Sequence, residues 1–131
     1  MNPFMGQQFP DQPEPEAADK LLQALMPAEE SLGLPLLLVL AAIAREPGLS
    51  VNDLADRLNA PQQSASRYIA TLQGRYSVPG RDFGVTPLIS IEISRSDPRK
   101  RALHLTPAGA AQLMRVLAAL DLQPEVPNAQ P

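Results

Sequence analysis

The sequence contains no cysteine. Disulfides, thiolate metal sites and cysteine redox sensing are therefore excluded within this chain. It has one histidine, His104, too few for a histidine-rich metal site. It has no tryptophan, and aromatics make up only 4% of its residues, which argues against stacking-based binding of carbohydrate or single-stranded nucleic acid. No apolar run reaches the ~20 residues that a bilayer span needs, and the N-terminus lacks a basic region followed by an apolar one. No phosphate-cradling glycine loop or metal-ligand spacing occurs. These absences predict a soluble cytoplasmic protein with no metal, no cofactor and no membrane contact. The 131 residues suffice for one domain with one core.

The net charge of −3 is unevenly distributed. Between Arg57 and Arg101 stand eight basic and three acidic residues, a balance of +5, which leaves −8 for the remainder. A basic segment on an acidic body is a partner-binding distribution, and its sign points to an anionic partner.

Residues 1–16 hold Pro3, Pro10, Pro13 and Pro15 among glutamines and acids. No helical or strand period survives there, so a disordered tail is expected. A short helix follows from Ala17 to Met26, with Leu21, Leu22, Leu25 and Met26 on one side, and Pro27 should end it. The next helix, from about Leu34 to Glu46, is the most apolar part of the chain. Pro35 fits its first turn, and Pro47-Gly48 stops it. Leu36, Leu37, Leu38, Val39, Leu40 and Ile43 leave almost no polar face before Arg45. A helix apolar all round must be covered all round. Either a second subunit covers part of it, or it is a central buried helix in a monomer.

The segment Ser50 to Leu72 reads as two short amphipathic helices separated by Asn59-Ala60-Pro61. Ser50 and Asp53 form a capping box, and Val51, Leu54, Ala55 and Leu58 fall on one face. Pro61 suits the first turn of the second helix. In that helix Ala65, Ile69 and Leu72 face inward, while Gln62, Gln63, Ser64, Ser66 and Arg67 present groups able to reach base edges or phosphates. This is the helix-turn-helix pattern, and a plain helical hairpin is its rival.

Gly74 through Pro87 is a loop by its glycines and prolines, and it contains Arg75 and Arg81. From Leu88 to Ser94 the alternation puts Ile89, Ile91 and Ile93 on the buried face of a strand. A second strand, Ala102 to Thr106, turns Leu103 and Leu105 inward. The connecting turn carries Arg95, Asp97-Pro98, and then Arg99, Lys100 and Arg101. Two strands with a cationic tip after a helix-turn-helix make a wing, whose tip suits the phosphate backbone or the minor groove. Thr106 and Pro107 open a last helix whose apolar stripe is Leu113, Met114, Val116, Leu117 and Leu120. Residues 122–131 read as a frayed tail, so the folded domain is expected over 17–121.

With these residues in this order, the chain resembles the MarR-type winged-helix family of regulators. The likeness rests on Leu34-Pro35 and the apolar run to Pro47-Gly48-Leu49-Ser50, and on Gln62, Gln63, Ser66 and Arg67. It rests further on the Asp97-Pro98-Arg99 wing tip and on Leu103-His104-Leu105-Thr106-Pro107-Ala108-Gly109. It spans roughly residues 32 to 118. The chain departs from the family in its meagre first helix, its single C-terminal helix, its long 74–87 connection and a proline at position 61.

The resemblance implies a mainly α fold with a small β-hairpin wing, an α+β winged helix flanked by dimerisation helices. It also implies a homodimer that represses transcription by reading a pseudo-palindromic site on double-stranded DNA, often under control of a small-molecule effector. The interface would draw on Leu21, Leu25, Leu36, Leu37, Leu40, Leu113, Val116, Leu117 and Leu120. Base reading would fall to Gln62, Gln63, Ser64, Ser66 and Arg67, and backbone holding to Arg75, Arg81, Arg95, Arg99, Lys100 and Arg101. The alternative is a winged-helix protein-interaction or assembly module of phage or plasmid type. An enzyme has little support, since His104 has no nucleophile near it in sequence and no catalytic residue stands out.

Overall fold

The structure, a computed structural model, describes residues 11–74, 86–93 and 95–122. Its elements are α1 (Pro15–Ser31), α2 (Leu34–Arg45), α3 (Val51–Leu58), α4 (Gln62–Leu72), β1 (Ile89–Ile93), β2 (Arg101–Leu105) and α5 (Pro107–Ala119). Of the tails expected over 1–16 and 122–131, residues 1–10 and 123–131 lie outside the described residues, as does most of the 74–87 loop with Arg75 and Arg81, whereas Pro15 and Glu16 belong to α1 and not to a tail.

Helix α2 is the centre of the fold and touches α1, α3, α4, α5 and β2. Val39, Leu40 and Ile43 on it are essentially inaccessible to solvent. Burial of each such side chain contributes about 1.5–3 kcal/mol. Around them gather Leu54 of α3, Ala65, Ile69 and Leu72 of α4, Ile89 and Leu103 of the strands and Leu113 of α5. The all-round apolar character of α2 is thus mostly answered within one chain. Leu36, Leu37 and Leu40, expected at a subunit interface, are buried in the chain's own core, and so is Leu113. What α2 leaves in solvent is one side, Leu34, Leu38, Ala41 and Arg45 at helical spacing with Pro35 and Ala44 beside them.

Helix α1 corrects the expectation that Pro27 ends it. The helix continues to Ser31, with Pro27 inside it on the exposed side. There, water can take the carbonyl that loses its partner, and packing of α1 on α5 holds the rest of the helix in place. The buried face of α1 is also not the leucine face. Ala24 and Ala28 point inward, because small residues let α1 lie close, and Leu21, Leu22 and Met26 face solvent. Lys20 pairs with Asp121, joining α1 to the end of α5. The N–H groups of Leu32 and Gly33 both donate to the carbonyl of Ala28, and Gly33 has φ 92°. That left-handed conformation, cheap only for glycine, turns the chain by 106° into α2.

The two strands pair antiparallel, with Ile89 opposite Leu105, Ile91 opposite Leu103 and Ile93 opposite Arg101. Two features differ from the sequence pattern. Leu88, assigned to the outer face, is buried, and Ile93, assigned to the inner face, is exposed. The ladder leaves the body before it reaches Ile93, so alternation persists but nothing remains to cover its last member. The second strand starts one residue earlier than expected and includes Arg101, while Thr106 leaves it to cap α5. Thr106 accepts a 3.1 Å hydrogen bond from Gly109 N–H through its hydroxyl.

Candidate nucleic-acid interface

The interface starts from α3, whose capping box forms as expected. Asp53 N–H donates to Ser50 Oγ at 3.1 Å, and Ser50 N–H donates to Asp53 Oδ2 at 3.4 Å. Leu54 and Ala55 anchor the helix in the core, and Asn59, left-handed at φ 52°, closes it. Ala60 N–H then donates to Ala55 carbonyl at 2.9 Å, which tightens the break before α4. Pro61 stands at the cap position, one place before the first turn expected for it, with an extended ψ of 146°.

In α4, Ala65, Ile69, Thr71 and Leu72 are buried. The Thr71 hydroxyl donates to the Arg67 carbonyl at 3.0 Å, so the one buried polar side chain is satisfied within the helix. Gln62, Gln63, Ser66 and Arg67 are all exposed, and their spacing puts them on one face; Ser64 is half-buried at its edge. The sequence-derived set is therefore brought together on a single surface.

The wing is fixed to that helix through the backbone of Leu88. Its N–H donates to the carbonyl of Leu72, the last residue of α4, at 2.8 Å, and its carbonyl accepts from Thr106 N–H at 3.1 Å. The Thr106 hydroxyl also donates to Pro87 carbonyl at 2.7 Å. On the other strand, Leu103 N–H donates to Leu49 carbonyl at 3.0 Å, and Gly48 N–H donates to Leu103 carbonyl at 2.8 Å. These bonds hold the wing root against both α4 and the segment that enters α3. Nothing in the residue pattern marked Leu88 for this task, since its side chain reads as an ordinary strand residue.

At the tip, Lys100 N–H donates to Asp97 carbonyl at 2.9 Å, and Arg99 N–H donates to Asp97 Oδ1 at 3.1 Å. Asp97 thus folds the turn that presents the cations. Arg95, Arg99, Lys100 and Arg101 are exposed, Arg99 almost completely. The remaining cation of the helix-turn-helix, Arg57, is held elsewhere. It donates to both oxygens of Glu46, and that hydrogen bonding keeps the Glu46 carboxyl below its ordinary value and raises Arg57 further. His104 sits half-buried on the outer face of the wing, its Nε2 3.8 Å from Glu92 Oε1. Among the described residues no cluster of three histidines or acids could hold a metal ion, and no single helix is long and apolar enough to cross a membrane.

A helix-turn-helix whose second helix is exposed along its polar face, followed by a pinned two-stranded wing, is a winged-helix arrangement. Residues 33–75 match the sequence model of the MarR family. No curated protein sequence matches. Among solved structures, the chain is similar to the MepR–DNA complex of S. aureus, with 19% identity and a TM-score of 0.59 over 81% of this chain and 77% of that one. It is similar to the repressor CouR bound to a 23-mer DNA duplex, with 22% identity and a TM-score of 0.59 over 88% and 72% of the two chains. It is also similar to YusO of Bacillus subtilis, with 20% identity and a TM-score of 0.57 over 81% of this chain and 66% of that one. The likeness is one of fold. That fold is the MarR-type winged helix, and the family model matches the helix-turn-helix part, 33–75, of the stretch that carries the resemblance.

Proposed function

We propose that the protein is a DNA-binding transcription regulator, a repressor that binds a pseudo-palindromic site on double-stranded DNA as a homodimer in a bacterial cytoplasm. The observation that carries this reading is the exposed polar face of α4 followed by a wing that ends in a cationic turn, the root of the wing joined to the end of α4 by the Leu72–Leu88 hydrogen bond. In this reading α4 enters the major groove. Gln62 and Gln63 suit adenine and Arg67 suits guanine, each bidentate pair discriminating by ~1–3 kcal/mol, with Ser64 and Ser66 as shorter-reach donors. Arg95, Arg99, Lys100 and Arg101 displace counterions from phosphates, and Arg75 and Arg81 add to that charge. The relatives bound to DNA, MepR and CouR, share this fold and support the partner class.

Dimerisation is supported by the apolar side chains that one chain leaves uncovered. Leu21, Leu22 and Met26 of α1 and Leu34 and Leu38 of α2 are exposed, and a shallow, mainly apolar groove between these helices is lined by Leu25, Ala28, Leu34 and Leu37 with Glu29 at its side. Val116 and Leu117 of α5, and Leu120 at its end, are half-buried. The interface so drawn keeps Leu21, Leu25, Val116, Leu117 and Leu120 of the sequence-derived set. A dimer would read half-sites about 34–36 Å apart, or a multiple of that.

Selection of bound duplexes from a random pool tests the reading. Enrichment of an inverted repeat is the expected result, and Arg67→Ala should relax the base preference. Arg99→Ala should weaken all duplexes and flatten the salt dependence by about one ion. No enrichment, with both variants binding as the parent does, would sink the proposal in favour of a protein-contact module.

A further inference from the structure

The wing ladder carries one apolar residue more than the body can cover. On its inner face the pairs run Ile89 with Leu105, Ile91 with Leu103, and Ile93 with Arg101. Burial falls along that row: Ile89 and Leu103 are fully buried, Ile91 and Leu105 half-buried, and Ile93 is 63% exposed. Its cross-strand partner Arg101 is a cation, and the turn that follows exposes Arg95, Arg99 and Lys100, with Arg99 Nε 3.5 Å from Asp97 Oδ1. Glu92 lies on the opposite face, toward His104. An exposed isoleucine opposite a cation, at the base of a turn that exposes three more, calls for a surface that is anionic at its edges and apolar between them.

We propose that Ile93 is an apolar minor-groove contact. It lies against the deoxyribose walls of the groove flanking the site read by α4, while Arg101 and its neighbours take the phosphates on either side. The inference rests on the DNA-binding reading above and deepens it. The minor groove is ~6 Å wide and bounded by two phosphate rows, with sugar C–H groups and base edges between them. Apolar side chains, isoleucine among them, recur as wedges in such grooves. A lipid headgroup layer has a similar mixture, but the wing root is hydrogen-bonded to the end of α4, which makes a contact continuous with the α4 footprint the better fit.

Two consequences separate this contact from charge alone. Loss of an apolar contact releases no ions, so Ile93→Ser should lower affinity about tenfold and leave the salt slope unchanged. Guanine carries an amino group into the minor groove that adenine lacks, so the parent should prefer A·T flanks. Replacing flanking guanine by inosine, which removes that group, should restore tight binding.

The experiment measures duplex affinity of the full chain, Ile93→Ser and Ile93→Val, on one selected site with A·T, G·C and I·C flanks across a salt series. Ile93→Val should match the parent, and Ile93→Ser should lose both affinity and flank preference at an unchanged thermal midpoint. Parent-like affinity and flank preference in Ile93→Ser would overturn the inference. So would capture of the parent, but not of Ile93→Ser, by vesicles of phosphatidylcholine and phosphatidylserine combined with equal duplex binding. If the parent selects no duplex, the regulator reading itself fails, an outcome visible before any flank is varied.

Discussion

The guanidinium of Arg57 places Nε 2.6 Å and Nη2 3.0 Å from the two carboxylate oxygens of Glu46. This bidentate pair ties the last turn of α3 to the residue that ends α2, across the Pro47–Ser50 corner.

Because Arg57 holds the Glu46 carboxyl below its ordinary value, the pair contributes stability that is present above the unfolded carboxylate value of ~4.3. That stability is lost as pH falls through the lower folded value. Glu46→Gln should therefore lower the thermal midpoint slightly at pH 7, and the difference from the parent should vanish below the folded value. Both side chains are partly exposed, so added salt should shrink the effect. Midpoints that stay apart at the lowest pH would contradict this account.

A side chain on Gly109 has no room. A Cβ there would run into the carbonyl oxygen of Leu88 and stand 2.9 Å from its carbonyl carbon. Gly109→Ala should destabilise by about 1–3 kcal/mol through backbone displacement, overriding the ~1 kcal/mol that alanine gains over glycine in a helix. Urea unfolding followed by circular dichroism measures the change. DNA affinity should fall as well, because the group displaced is the anchor of the wing.

Loss of the α3 cap is a milder change than Gly109→Ala. Ser50→Ala leaves the Asp53 amide without its acceptor and should cost about 1 kcal/mol. Ser50→Asp should recover most of it. Equal unfolding midpoints for the parent and Ser50→Ala would show that the box adds nothing to stability.

Two leucines on α2 should behave in opposite ways. Leu40 is inaccessible within one chain, whereas Leu38 is about half exposed. Leu40→Ala should cost about 2–5 kcal/mol without changing subunit number. Leu38→Glu should leave the fold intact and shift sedimentation toward the monomer. A stable dimer of Leu38→Glu would remove α2 from the proposed interface.

Order and type of the elements were legible in the residues because period, caps and breakers agreed. Ser50, Asp53, Thr106 and Ile89 each stand where their chemistry says. Three matters were not legible, each for a tertiary reason. Pro27 reads as a stop because its missing N–H is local, but the packing of α1 on α5 is not. Leu36, Leu37 and Leu40 look available to a partner because a sequence does not reveal how many neighbours one chain can bring to a helix. Ile93 reads as inward because alternation gives the face of a strand and not where the body beneath it stops. The polar face of α4 was fully legible, since four side chains on one short helix need no tertiary information.

Leu103 is bonded on both sides of its peptide to Gly48 and Leu49, and its side chain is fully buried. Toward the tip, the strands have only each other. The wing is therefore a lever with its fulcrum at Leu103 and its load at Arg99. Amide hydrogen exchange should trace that mechanics. The Leu103 amide should be among the slowest, near the limit of global unfolding, and Arg99 and Lys100 among the fastest. A substitution that rocks the fulcrum would move the cations at the far end without touching one of them.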